Sequence, residues 1–378
     1  MLGAVADQIQ EIVAGLADLK EVHGVWAVAD GRVAQGDAGW VADLGIALAR
    51  AYGTGEPVWQ YRSVFDHLLR LLATTAGPGH VAQALRLVSS AEVTSRRLDR
   101  YTASLLASGQ AAEDLNVAFT GHAPEELRAC LVHELVLRGV AVGEVPGIAG
   151  WATSPHWSHH PLGWLPLTRS GMEEEADLPS YGIRGSSHSM PYGPSEDRPS
   201  AVIADAHVPA ARETTTPAVA SRIGAAPANW AEQSNGRVEA RVFDLAEPLD
   251  ARTVPSALLA LGLECLRGTG KKTPLSVTVC PPALAWRVLF AAASTGGAYS
   301  SGSYGAYGRL AAWRSLAALA GSPEGATAAE AEAQVLDCGW HAFDAGTQWF
   351  EQVAWDIGLA ALSPGGRRLA VLAATDTD

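Results

Sequence analysis

Five histidines, His156, His159, His160, His188 and His207, crowd the middle of the chain, and Trp151, Trp157 and Trp164 are interleaved with the first three in the stretch WATSPHWSHHPLGWLPL. Imidazoles grouped in this way suit two chemistries: ligation of zinc, copper, iron or nickel, and proton transfer near neutral pH. Ligation needs three or four side chains converging on one ion, and adjacent residues such as His159 and His160 do not easily face one ion from a regular backbone. Asp205 and Glu213 are the carboxylates that would complete a set. The competing reading is an aromatic seam, in which the tryptophans pack and the histidines form a polar rim. No metal site and no cofactor is assigned from this pattern.

Downstream, RGSSHSMPYGPS (residues 184–195) joins Arg184, several hydroxyls including Ser187, His188 and Tyr192 in one loop. That is the inventory of an anion or carboxylate site with a local base. It lacks the G-x-S-x-G pattern of a nucleophile elbow. A second loop, STGGAYSSGSYGAYGR (294–309), feeds into a helix, where free N–H groups near Ser303 and the cation of Arg309 would welcome a phosphate or carboxylate.

Other motifs fail on spacing. In GTGKKT (268–273) the first glycine of a phosphate loop would fall at Cys265, and the second histidine of an H-E-x-x-H motif starting at His133 would fall at Leu137. Cys338, His341 and Asp344, at i, i+3 and i+6, are expected to cluster around a turn, where thiolate chemistry is conceivable.

Elements that would position these groups follow from hydrophobic period. Up to about residue 150 apolar residues recur three and four apart, beginning with Val5, Ile9, Ile12, Val13, Leu16 and Leu19. Helices are predicted over 25–35, 39–51, 57–75, 80–90, 93–107 and 124–139. Pro57 and Pro124 suit first turns, and Gly53, Gly109 and Gly139 suit the left-handed residue beyond a helix end. Residues 168–236 are rich in Ser, Pro, Gly, Ala and Thr and read as a connection held by contacts. Strands are predicted over 237–245 and 275–280 with a helix over 256–267 between them. A hairpin is predicted from 356–362 and 368–374, and further helices over 282–293, 308–320 and 327–335.

The expected fold class is α+β: an N-terminal helical bundle or short helix-hairpin stack (1–150), a connecting segment that serves as pocket loop or lid (151–236), and a C-terminal α+β domain with a partly antiparallel sheet (237–378). With 378 residues, 48% hydrophobic and a formal charge of −13, the chain is globular, acidic and poorly suited to nucleic acid or anionic lipid. Cys130, Cys265, Cys280 and Cys338 are widely spaced, as buried reduced thiols of a cytoplasmic protein would be.

The stretch 151–167, the SSHSMPYGPS loop and the ending AWDIGLAALSPGGRRLAVLAATDTD together resemble an uncharacterised actinobacterial family of unknown function. The resemblance carries no activity and no catalytic residue, and implies a bacterial cytoplasmic protein.

The resulting expectation is a ligand-binding protein, in one form an enzyme, whose pocket lies where the two halves meet. His159 or His188 transfers a proton, Arg184 fixes an anionic substrate group, Ser187 and Tyr192 supply hydroxyls, Trp157 and Trp164 exclude water, and Ser303 and Arg309 add polar contacts. The alternative is an interaction module, a helical-repeat scaffold or immunity-type partner whose acidic surface recruits a basic protein.

Overall fold

Apolar residues three and four apart wind the first part of the chain into successive helices, each with a buried stripe. The computed structural model describes residues 2–54, 58–90, 95–188, 191, 207–269, 274–350 and 355–376, apart from the side chains of 2–6 and 156. The described residues form an α+β arrangement, with helices first and an antiparallel sheet last. The chain divides into two compact units: Met1–Gly163 with Pro179–His188, and Trp164–Leu178 with Ser189–Asp378. The stretch read as a connection is thus shared between them.

In the first unit the helices are α1 (Leu2–Gly15), α2 (His23–Ala34), α3 (Ala38–Tyr52), α4 (Trp59–Thr74), α5 (Pro78–Val88), α6 (Arg96–Gly109), α7 (Asn116–Thr120), α8 (Glu125–Leu137), α9 (Pro146–Ala152) and α10 (Pro155–His159). Local chemistry sets their starts: the Asp37 carboxylate accepts from Trp40 N at 3.3 Å and opens α3, while Pro78 sits in the first turn of α5. Leu44, Leu48, Leu68, Leu72, Leu106 and Leu131 are among the fully buried side chains of this core. A two-stranded hairpin, β1 (Ser180–Gly182) and β2 (Gly185–Ser187), completes the unit.

Two glycine expectations fail here, while Gly139 does take a positive φ of 79°. Gly53 follows α3 with φ −77°, ordinary right-handed backbone, so the helix frays into a turn without a left-handed cap. Gly109 is the last residue of α6, and its role is close approach: a Cβ there would lie 2.7 Å from Thr74 Cα and 2.9 Å from Ala73 O of α4. Gly109→Ala must therefore push two packed helices apart, and urea denaturation is expected to show a loss of about 1–3 kcal/mol. Unchanged stability would show that the helices separate freely. Pro124 precedes α8 as its N-cap, and Pro57 lies outside the described residues.

In the second unit the elements run β3 (Ala211–Glu213), α11 (Pro217–Ile223), α12 (Ala228–Gln233), β4 (Arg237–Leu245), α13 (Val254–Ala260), β5 (Leu275–Val279), α14 (Pro282–Thr295), α15 (Tyr304–Ala320), α16 (Ala328–Asp337), β6 (Gly339–Ala345), β7 (Trp355–Leu362) and β8 (Arg368–Asp376). The strands form one sheet in the order β3-β4-β8-β7-β6-β5, and every pairing is antiparallel. Phe243, Leu369, Val371, Ala360 and Phe343 face one core with Leu258 of α13, and alternate residues of β7 and β8 face the other way. β8 is buried on both faces from Leu369 onward, which accounts for its near-continuous apolar run.

The predicted 256–267 helix is shorter and earlier, ending at Ala260 before a run of turns. The expected turn around Cys338, His341 and Asp344 is instead the strand β6, so His341 lies on the opposite face from Asp344. Burial raises the Cys338 thiol to about 11 and lowers His341, so neither is poised for thiolate chemistry. All four cysteines are buried and free of disulfides. Among the described residues no helix is long and apolar enough to cross a membrane.

Candidate functional site

Within the first unit the His/Trp stretch meets helix α8. Trp157 is buried, stacked on the His133 ring at 5.3 Å and nearly parallel to the His160 ring at 6.1 Å, with Trp151 edge-on at 5.3 Å. His133, fully buried on α8, meets Leu162 O through Nε2 at 3.0 Å, which fixes the chain just after α10.

α10 ends at His159, and the extended backbone of His160 then brings that ring inward. His160 Nδ1 accepts from Leu162 N at 3.2 Å, so the ring proton resides on Nε2, which donates to Glu126 Oε2 at 3.3 Å. Glu126 also accepts from Arg100 Nε at 2.9 Å through its other oxygen. Glu126 lies in the first turn of α8 and Asp99 in that of α6, with Arg100 directly after it. The start of each helix thus presents a carboxylate, where the backbone dipole favours negative charge.

Asp99 is 4% exposed. Its carboxyl is pushed up to about 6, first by burial and then by repulsion from Glu126, with Arg100 pulling it down. One turn below Glu126, burial and the surrounding carboxylates push the Cys130 thiol far up, which removes it as a nucleophile. The cluster therefore holds one titratable carboxyl at near-neutral pH, a carboxylate tied to an arginine, and an imidazole on an aromatic stack.

A second polar cluster adjoins it on α6. Tyr101 donates its hydroxyl to Asp66 Oδ1 at 2.7 Å, and Arg70 Nε donates to Asp66 Oδ2 at 2.8 Å. The Arg70 guanidinium lies over the Tyr101 and Tyr181 rings and donates to Gly182 O and Gly185 O of the hairpin, at 3.3 and 2.9 Å. Tyr181 and Ser104 share a hydroxyl pair at 3.1 Å.

Of the residues expected from sequence, Trp157 joins the acid cluster, whereas His159 is exposed. Arg184, Ser187 and His188 share the β1–β2 hairpin and its end, and all three are exposed. Tyr192 lies outside the described residues, as does the side chain of His156. Trp164 belongs to the second unit, where its Nε1 donates to Ala326 O at 3.0 Å. Ser303 precedes α15 without a side-chain cap. Arg309 is fully buried: its guanidinium grips Glu173 at 2.6 and 2.8 Å and donates to Pro166 O and Thr168 O. Among the described residues no three His, Cys, Asp or Glu side chains converge as a metal ion would require.

Sequence reasoning missed Asp99, Arg100, Glu126 and Arg70, and named His160 only among the clustered imidazoles. A usable signal existed for Asp99, which occupies the stripe of Ala103 and Leu106 in a predicted helix, a carboxyl on an apolar face.

A family model described as "Family of unknown function (DUF6183)" matches residues 23–378. The chain belongs to this family. No curated protein and no solved structure gives a significant match. The DUF6183 match begins at the first residue of α2 and includes both polar clusters of the helical unit as well as the whole sheet.

Proposed function

We propose that the helical unit is a small-molecule site built for proton transfer, with Asp99 as the group that gives or takes the proton. The observation that carries this reading is the Asp99 carboxyl, held at about 6 by burial and by Glu126. A general acid or base works best when its affinity for the proton matches ambient pH, and an ordinary aspartate is too acidic for that task. Glu126 is tied by Arg100 and His160 and acts as the fixed charge that keeps Asp99 protonatable.

Two carboxyl groups against one arginine make this an unfavourable place for an anion, so the substrate is a small neutral or cationic polar molecule. Arg100 and His160 keep partly exposed side chains, 25% and 18%, and form the rim it would touch. The stacked Trp157 holds that rim in place. The four unpaired, buried thiols support a reducing compartment such as the bacterial cytoplasm.

The test is a thermal-shift screen of polar metabolites at pH 5 and pH 8, repeated with Asp99→Asn. A stabilising compound is expected to bind with a pH dependence centred near 6, and that dependence should vanish in the variant. Hits that bind Asp99→Asn with an unchanged pH profile would sink the reading.

A further inference from the structure

The loop between α14 and α15 has the opposite electrostatic character from the one its glycines and serines suggest. A phosphate cradle needs free backbone N–H groups. Here they are engaged: Gly297 N donates to Ser300 Oγ at 2.8 Å, Ala298 N to Asp376 Oδ2 at 2.8 Å, Ser301 N to Gln233 Oε1 at 3.1 Å, and Ser303 N to Ala293 O at 2.8 Å. The carboxylate of Asp376, at the end of β8, is wholly buried against this loop. Gly297 is required for that approach, because any Cβ would collide with the carboxylate.

Among the buried polar atoms around the loop that lack a hydrogen-bond partner are three oxygens able to accept. Asp376 Oδ1, Asn229 Oδ1 and Ser294 Oγ are buried and have no hydrogen-bond partner among the described residues. Asn229 is directed at the same loop, since its Nδ2 donates to Ser301 O at 3.2 Å and to Ala292 O at 3.4 Å. Ser294, near the end of α14, also borders the loop: its side chain packs against Gly308 of α15, and its carbonyl lies beside Gly302. Asp376, Asn229 and Ser294 are respectively 0%, 8% and 5% exposed. A buried acceptor without a donor gives up the hydrogen bonds it made to water, and a charged one gives up more, so three beside one loop call for an occupant.

We propose that this loop binds a monovalent cation, held by Asp376 Oδ1, Asn229 Oδ1 and Ser294 Oγ. One carboxylate with neutral oxygens matches a single positive charge, whereas calcium and magnesium sites gather several carboxylates. An alkali ion and ammonium share this chemistry and are separated by experiment. The site lies in the second unit and does not depend on the proton-transfer reading of the first.

The full-length protein is freed of alkali ions in choline chloride, then titrated with potassium, sodium or ammonium chloride at constant ionic strength while its melting temperature is followed. A saturable rise of about 2–4 °C with at least one of these ions is expected. Potassium or sodium as the best ion identifies an alkali site, and ammonium identifies an amine site. Asp376→Asn keeps the Ala298 N bond and removes the charge, so its response should be lost. Should that variant fail to fold, sodium NMR line broadening by the wild-type protein, displaced by potassium or ammonium, reports the same site. Equal melting temperatures in choline and in all three salts, with no line broadening, would mean that only water fills the loop and would overturn the proposal. So would an Asp376→Asn protein that responds like wild type.

Discussion

Arg309→Met is expected to destabilise the protein by about 3–5 kcal/mol, because it strands the Glu173 carboxylate in a fully buried position. The remaining partners of Glu173 are Trp313 Nε1 at 2.7 Å and Ser170 N at 2.8 Å, two neutral donors that do not balance a full charge. Removing both charges at once, in Arg309→Met with Glu173→Leu, should recover most of the loss, since no uncompensated ion is then buried. The double variant should remain somewhat below wild type, because Trp313 Nε1 and the Pro166 and Thr168 carbonyls lose partners. Urea midpoints at unchanged m-value measure all three proteins. A single variant within about 1 kcal/mol of wild type would show that water reaches the pair. The same geometry explains why Arg309 is a strut for the 164–178 segment: four of its contacts to that segment are internal hydrogen bonds.

Asp99→Asn should do two things that a merely structural aspartate would not do together. It should raise stability above pH 6 and abolish the proton-transfer chemistry proposed for the helical unit. A carboxyl raised to about 6 in the folded state holds its proton more tightly than the unfolded chain, whose aspartates titrate near 3.8. Wild-type stability is therefore lost as pH rises from about 4 to 6 and stays low above that. After allowance for water at the charged rim, the effect is about 1–2 kcal/mol. Asparagine carries no such penalty, so the two proteins should match near pH 4 and diverge by pH 8 in urea titrations. Turnover, once a substrate is found, should fall by about 10²–10⁴-fold, the usual contribution of a positioned acid or base. Equal stability at both pH values would place the Asp99 proton affinity in the ordinary range and remove the basis of the site.

The fold was legible wherever one period dominated. β4 alternates and both strands of the β7–β8 hairpin are rich in apolar residues around a Ser-Pro-Gly-Gly turn, so their predicted bounds fall within about two residues of the observed ones. β6 was hidden because Cys338, His341 and Asp344 invite a chemical reading, while its strand character comes from pairing with β5 and β7 on either side. The 168–236 region read as a connection because its anchors include ion pairs with residues far along the chain, Glu173 with Arg309 of α15 and Asp177 with Arg287 of α14, and composition does not show such partners. α15 also begins four residues before its predicted start, at Tyr304, whose φ of 62° is rare for a residue with a side chain.

The site was less legible, for a geometric reason. His159 and His160 are equivalent in sequence, and the end of a five-residue helix decides which ring turns inward. Asp99 and Glu126 are ordinary first-turn acids until α6 and α8 are placed side by side. Arg184 stands out in sequence because it lies among hydroxyls in its own loop, whereas Arg70 reaches the same hairpin from a helix more than a hundred positions earlier.

The Glu173–Arg309 pair also bears on biosynthesis. Its two members are 136 positions apart, so a nascent chain exposes Glu173 long before its counter-ion leaves the ribosome. Docking of the Trp164–Leu178 stretch is thereby postponed to a late stage of maturation. A message broken upstream of codon 309 would yield a polypeptide with the Glu173 carboxylate uncompensated, and one broken upstream of codon 287 would also lack the Arg287 partner of Asp177, each a ready substrate for quality-control proteases.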